Sequence, residues 1–312
     1  MIDLIIPYYN NGKGLSETLK SINYDVFNVI VIDDGSDVPL LPPFNAKFQY
    51  WRRNINRGPG ITRQYGIDHT TNPYIMFIDT GDIFISKNLQ NDIVNTINSD
   101  PETNVFVWQY YHYDELSKTT DNRMHGKVYK RNFIQNYSIS FCPESSYMDE
   151  DIGFNRTVRI ISDAINIPIK FIETPIIKQT KEETSLTQRN NQESLYKDQT
   201  RALSLVTIHT VDICHKNNIN SQEEINQIAI ALYYWFVRTA AERSEFLPDA
   251  WHGAKIFYKK FKKDIQTNEL IVGNAYMKRC IQYRKQIRFP INVLRFVDDI
   301  LKNENLPDKY LT

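Results

Sequence analysis

Cysteine is scarce in this chain, with three in 312 residues. Cys142, Cys214 and Cys280 are far apart, odd in number and without CxxC spacing, which disfavours a disulfide framework or a zinc site and suits a reducing cytoplasm. No apolar run approaches the roughly 18 residues that span a bilayer. The segment from Asp3 to Pro7 already reads as a strand, so no signal peptide is expected ahead of it. Net charge is absent too, with 37 Lys/Arg against 37 Asp/Glu. There is no internal repeat and no low-complexity tract. These absences predict a soluble, cytoplasmic globular protein and leave a peripheral membrane contact open.

The composition that remains is ordinary, 41% hydrophobic and 24% charged, and the length suffices for one large or two medium domains with real cores. The balanced charge hides an uneven distribution. Between Trp251 and Arg295 eleven Lys/Arg face two acids, Asp264 and Glu269, a local excess of nine that the rest of the chain offsets.

Up to about residue 180, strand-like and helix-like segments alternate. "DLIIPYY" is a buried strand, and "LSETLKSI" follows with Leu15, Leu19 and Ile22 at helical spacing. "NVIVIDDGS" and "KFQYW" read as further strands. "GPGITRQYGIDHT" reads as a helix with Pro59 in its first turn and Ile61, Tyr65 and Asp68 along one side. "YIMFID", a helix over Ser86 to Asn98, and "NVFVWQYYHY" come next. This alternation predicts an α/β, Rossmann-like, mostly parallel sheet flanked by helices. From about Asn190 the pattern is all-helical, which predicts domains at 1–190 and 191–312. "SQEEINQIAIALYYWFVRTAAER" opens with Ser221 and Glu224 spaced as a capping box, and Ile225, Ile228, Leu232 and Phe236 form its apolar stripe. The last helix is expected to start near Pro290. The polar stretches Glu115 to Gly126 and Thr180 to Asn191 predict loops.

Ligands of such sheets bind at the carboxyl ends of strands, where Asp33/Asp34 and Asp79/Asp82 fall. Two carboxylates after a buried strand suit a divalent cation carrying phosphate, Mg²⁺ or Mn²⁺. The plainer alternative for "DDGS" is a turn whose side chains bond their own backbone. Glu150 and Asp151 open a helix, where acids also favour the positive end of the dipole. The six histidines show no metal spacing; of them His112 and His125 lie where substrate contact is conceivable. Cys142, just before Pro143, reads as packed rather than nucleophilic.

Six stretches in order resemble the motifs of family 2 glycosyltransferases of the GT-A fold. They are "IIPYYN", "VIDDGS", "NRGPGITRQYG", "FIDTGD", "MDEDIGF" (preceded by "GKVYKRNFI") and "KEETSLT", together spanning about 190 residues. The resemblance implies a nucleotide-sugar donor, a UDP-sugar foremost, contacted by Pro7, Tyr9, Asp34, Arg63 and Asp79. It implies a metal at Asp79 and Asp82, a general base at Asp151 beside Glu150, and transfer with inversion. The family usually carries an acid where this chain has Gly81, so the metal site is expected to be a variant one.

The acceptor is not defined by fold. The basic segment supplies Lys259, Lys260, Lys262, Lys263, Lys278, Arg279, Arg284 and Lys285, interleaved with Phe257, Tyr258, Phe261, Tyr283 and Phe289. Such a surface suits a polyanion or an anionic membrane face, while ordinary solvated helix faces remain the alternative. The wording of two motifs is also similar to transferases of tailed phages that glycosylate hydroxymethylated pyrimidines, which implies double-stranded DNA as acceptor. A cell-surface or capsular glycan is the alternative acceptor, and an inactive nucleotide-sugar or nucleic-acid binding module is the alternative of another class.

Overall fold

The structure is a computed structural model that describes residues 1–40, 47–117, 123–145, 147–180, 192–266, 270, 275–284, 286–287 and 292–311. The chain forms two compact units, Met1–Gln188 and Arg189–Thr312. The motif "KEETSLT" lies outside the described residues, as does much of the 115–126 stretch.

The first unit is built on one nine-stranded sheet of order β3-β2-β1-β4-β8-β6-β9-β5, with β7 on β6. Its centre, β1 (Ile2–Tyr8) and β2 (Phe27–Asp33), is Ile/Val-rich because both faces are covered. These strands pair in parallel from Ile2↔Phe27 to Tyr8↔Asp33. β4 (Tyr74–Phe77) flanks β1 and β3 (Gln49–Arg52) flanks β2, also in parallel. The carboxyl ends of these four strands therefore share one edge.

Beyond β4 the sheet is mixed. β6 (Val105–His112), β7 (Glu115–Leu116) and β8 (Lys127–Lys130) follow one another with no helix among the described residues between them, and a chain that turns back without a crossover pairs antiparallel. β9 (Lys170–Gln179) returns parallel to β6, and β5 (Ile83–Phe84) pairs antiparallel with β9.

Helices cover the sheet: α1 (Gly12–Ser21), α2 (Pro59–His69), α3 (Lys87–Ser99), α4 (Arg131–Asn136) and α5 (Glu150–Ala164). α1 and α3 begin where Asn11 and Ser86 accept from the Gly14 and Asn88 amides at 3.0 and 3.2 Å. Pro59 opens α2 as expected, but its buried face is Gly60, Thr62, Arg63, Gly66 and Ile67 rather than the side holding Ile61, Tyr65 and Asp68. The glycines decide this. A Cβ on Gly66 would sit 2.7 Å from Ile5 Cγ2, so only a bare backbone lets α2 lie this close to β1. Arg63 is thereby pressed inward.

The second unit is helical, with α6 (Gln192–Lys216), α7 (Gln222–Glu242), α8 (Leu247–Lys260), α9 (Ala275–Arg284) and α10 (Val293–Lys302). Its core gathers Phe236, Trp251, Tyr258 and Phe296. Ile225, Ile228, Leu232 and Phe236 are buried along α7. Ser221 stands at the N-cap of α7, but its hydroxyl makes no cap hydrogen bond and lies 3.5 Å from His215 Nε2, so the capping box does not form.

The basic segment differs from its expected surface. Phe257, Tyr258, Phe261 and Tyr283 are core residues, because their spacing along amphipathic helices turns them inward while the lysines point out. Lys259 pairs with Glu304 at 3.1 Å and Lys260 with Asp212 at 3.4 Å. Lys262, Lys263, Lys278 and Arg279 are exposed. Phe289, Lys285 and the side chain of Arg284 lie outside the described residues. Among the described residues no helix is long and apolar enough to cross a membrane.

Candidate functional site

The site is built at the carboxyl edge of the parallel strands. After β4 the chain makes a tight turn, with the Asp82 amide donating to the Asp79 carbonyl at 3.0 Å. Gly81 sits in this turn at φ +104, a conformation that L side chains rarely adopt. Its N–H donates to Thr18 Oγ1 at 2.9 Å and its carbonyl accepts from Thr180 Oγ1 at 2.8 Å. Thr80 Oγ1 donates to the Pro7 carbonyl at 2.6 Å. Where the family pattern has an acid, this chain has a backbone joint.

The missing third group comes from elsewhere. Asp79, Asp82 and His125 offer ligand atoms that all lie within 4.8 Å of one another. His125 Nε2 is 2.9 Å from Asp82 Oδ2 and 3.8 Å from Asp79 Oδ2. The closer contact is an ion pair out of hydrogen-bond alignment, which leaves Asp82 Oδ2 and both His125 ring nitrogens buried without a hydrogen-bond partner. Gly126 places this histidine. At φ +69 it lies so close to β6 that a Cβ would meet the Trp108 carbonyl oxygen at 2.5 Å, while its own carbonyl accepts from the Trp108 amide at 2.8 Å. The imidazole stacks on Tyr110 at 4.8 Å between centroids. The six-histidine pattern carried no metal spacing because His125 is 43 positions from Asp82 in the chain. The available signal was "MHG", an apolar residue and a glycine bracketing a histidine at the end of a polar stretch.

Electrostatics follow from this packing. Burial alone would raise Asp79, but the Arg63 guanidinium and then His125 hold its carboxyl below the usual range. Asp82 is pushed up, chiefly by burial, against the pull of His125. Burial would lower His125, yet Asp82 and Asp79 together raise it.

Arg63 joins this cluster to the start of α5. Its Nη2 lies 2.6 Å from Asp79 Oδ1 and its Nη1 3.0 Å from Glu150 Oε1. The resemblance placed Arg63 against the donor; in the structure it lies on the buried face of α2 and is engaged by two acids. Glu150 is pushed up to about 8 by burial and then by neighbouring Asp151, against the Arg63 charge. Asp151 is half-buried in the first turn of α5, its Oδ1 accepting from the Ile152 amide at 2.8 Å. Asp149 turns the chain into this helix in the left-handed region, φ +57.

On the other side of the edge, Tyr9 is exposed beyond β1. Asn10, at φ +50, clasps the loop after β2: its Nδ2 donates to Asp37 Oδ2 at 2.8 Å and its Oδ1 accepts from the Asp37 amide at 2.9 Å. Asp33 accepts from the Ser36 amide at 2.8 Å, which is the self-bonded turn anticipated as the plainer alternative. Asp34, expected to meet base or ribose, is buried and accepts from the Arg57 and Gly58 amides at 3.0 and 2.7 Å and from Arg53 Nη1 at 2.9 Å. Its carboxylate organises the "NRGPG" turn, whose Gly58 stands at φ +88. Tyr147, not singled out in the sequence, is an exposed ring whose hydroxyl donates to Asn56 Oδ1 at 2.8 Å. Cys142 is packed, its thiol pushed up to about 11 by burial.

Two carboxylates and an imidazole in one cluster, with Asp82 and His125 buried, Asp79 half-buried, and polar atoms lacking an aligned hydrogen bond, fit a divalent cation. Oxygen ligands suit Mg²⁺ and Mn²⁺ alike, while the imidazole favours Mn²⁺.

Comparisons with known proteins bear on the family and the fold. Residues 3–152 match the sequence model described as Glycosyl transferase family 2. An uncharacterized glycosyltransferase of Rickettsia bellii is 29% identical over 125 residues, 38% of this chain and 17% of that protein. The amylovoran biosynthesis glycosyltransferase AmsB of Erwinia amylovora is 31% identical over 102 residues, 29% of this chain and 34% of its own length. The chain thus spans only 17% and 34% of the length of these curated relatives. The crystal structure of S. aureus TarS in complex with UDP-GlcNAc superimposes with a TM-score of 0.68 at 14% identity, covering 95% of this chain and 89% of that one, which establishes a shared fold. Residues 3–152, just under half of the chain, thus resemble the family 2 glycosyltransferase model, and the fold that carries them is GT-A-like, with a mixed sheet flanked by helices and a helical C-terminal region.

Proposed function

We propose that this chain is a glycosyltransferase that moves a sugar from a UDP-sugar to an acceptor hydroxyl with inversion. The observation that carries this reading is the convergence, on one sheet edge of the part that resembles family 2, of the Asp79–Asp82–His125 cluster and the Glu150–Asp151 helix start. A donor diphosphate needs positive charge to leave, and an acceptor hydroxyl needs a base. Asp79, Asp82 and His125 would hold the divalent cation, which when bound stabilises the negative charge of the departing nucleoside diphosphate. Asp151, half-buried and free of the Arg63 bracket, takes the acceptor proton as the acceptor oxygen bonds to the anomeric carbon and the carbon–oxygen bond to the diphosphate breaks. Tyr9 offers its exposed face to the nucleobase, and Asp34 acts by holding the turn that shapes this pocket.

The acceptor is read as a glycan hydroxyl, supported by the relative named for amylovoran biosynthesis. A hydroxymethylated pyrimidine in double-stranded DNA is the second reading, favoured by the exposed Lys262, Lys263, Lys278 and Arg279. Four of the aromatic rings that were to accompany them, Phe257, Tyr258, Phe261 and Tyr283, lie in the core, which weakens its support.

The test is donor turnover. The purified chain with Mn²⁺ and a panel of UDP-sugars should release UDP, and Asp151→Asn should still bind donor while release falls about 10²–10⁴-fold. Failure of every nucleotide sugar to bind, or full turnover by Asp151→Asn, refutes the proposal. Salt-dependent DNA binding by the full chain separates the acceptors, since a polyanion partner must lose affinity steeply as salt rises.

A further inference from the structure

Arg63 was expected to touch the donor, and its surroundings assign it different work. The side chain is almost wholly buried on the inward face of α2, over the Phe141 ring at 5.9 Å. One guanidinium spans two carboxylates from different parts of the fold, Asp79 in the turn after β4 at 2.6 Å and Glu150 at the start of α5 at 3.0 Å. Its Nε is buried without a hydrogen-bond partner, so the two acids set its orientation at the expense of its own third donor. Asp79 Oδ1 is taken by this contact, and the other oxygen, Oδ2, is the one lying 3.8 Å from His125 Nε2. Glu150 in turn immediately precedes Asp151.

We propose that Arg63 is a positioning residue that sets the metal-holding turn and the base-bearing helix at a fixed separation, acting through Asp79 and Glu150. This rests on the proposed function. The forked guanidinium is needed because two acceptors must be met at once by in-plane donors; a lysine ammonium is a single point that cannot span both. By holding Oδ1, Arg63 presents Asp79 Oδ2 to the cation position, and by holding Glu150 it keeps the first turn of α5, with Asp151, beside that position. Groups that orient a metal ligand in this way change metal affinity although they never touch the ion.

The test measures Mn²⁺ binding by the full chain, by calorimetry or loss of the free Mn²⁺ resonance, alongside UDP release. Arg63→Lys should weaken Mn²⁺ binding about 10–100-fold and lower kcat with little change in donor KM. Glu150→Ala should also weaken Mn²⁺ binding about 10-fold although Glu150 is no ligand, whereas Glu150→Gln, whose amide oxygen still accepts from Nη1, should stay near wild type. A folded Arg63→Lys or Glu150→Ala protein with wild-type Mn²⁺ affinity overturns the proposal. If Arg63→Lys does not fold, the two Glu150 variants decide alone. If the wild-type chain binds no Mn²⁺ with or without UDP, the metal-holding part of the proposed function fails, and the bracket is judged by unfolding instead. The costs of Asp79→Ala and Glu150→Ala must then be non-additive with Arg63 present and additive in Arg63→Lys; additivity in both overturns it.

Discussion

Gly81 offers the sharpest test of how this site is built. Its φ of +104 lies where a Cβ is strained, and replacement by alanine should cost about 1–3 kcal/mol if the backbone stays in place. Relaxation is not a free escape. The Gly81 peptide groups bond Thr18 Oγ1 at 2.9 Å and Thr180 Oγ1 at 2.8 Å, and each bond lost costs about 1 kcal/mol. Either route destabilises by about 2 kcal/mol, or about 4–8 °C in Tm for a unit of this size. Gly12→Ala is the control: at the start of α1 a Cβ would lie 3.9 Å from the Tyr8 hydroxyl, an ordinary contact, so this change should be neutral or stabilise by up to about 1 kcal/mol. Calorimetric or denaturant unfolding of the full chain compares the two. Gly81→Asp, which restores the acid of the family pattern, should show the same loss and no tighter Mn²⁺ binding, because in the proposed site His125 supplies the third ligand atom. Equal melting of Gly81→Ala and wild type, or tighter Mn²⁺ binding by Gly81→Asp, would refute the reasoning.

Two further predictions concern the scaffold and the thiols. Arg131 donates to Asp3 at 2.8 Å and to the Asn72 and Ile67 carbonyls at 2.6 and 2.7 Å, all buried beneath the amino ends of the parallel strands. Arg131→Ala strands the Asp3 charge and should cost about 3–5 kcal/mol, whereas Asp3→Asn with Arg131→Met should recover part of it; an unchanged urea midpoint in Arg131→Ala contradicts this. Cys142 and Cys214 are buried and their thiols are pushed up to about 11, so the reactive thiolate is scarce at neutral pH and grows as pH rises toward that value. Alkylation of the folded protein should therefore be at least about 100-fold slower than that of a free thiol at pH 8 and rise about tenfold per pH unit; labelling at the free-thiol rate at pH 8 would count against the packing.

Much of the first unit was legible before any coordinates. Runs such as "DLIIPYY" and "NVIVIDDGS" are long in β-branched residues and end in polar turns, and they became the central parallel pair. The helix at Pro59 began at its proline, but which of its faces is buried was not legible, because glycine carries no hydropathy signal and the closeness of α2 to β1 depends on Gly66. In the second unit, a basic segment with interleaved aromatics looked like one mixed surface. Helical periodicity splits it into a buried aromatic side and a charged outer side, and part of that charge is met by Glu304 and Asp212.

The sequence by itself determined the order of the strands' residues, the placement of Asp79, Asp82, Glu150 and Asp151 at element ends, and the family resemblance of the first 150 or so residues. These are local properties: a strand ends where apolar residues stop, and a motif is a spacing. Tertiary structure decided the partners. That Arg63 brackets Asp79 and Glu150, that Asp34 serves a turn, and that His125 completes the cluster left open by Gly81 all join residues 16 to 87 positions apart. Such contacts depend on sheet order and helix docking, which spacing along the chain does not encode.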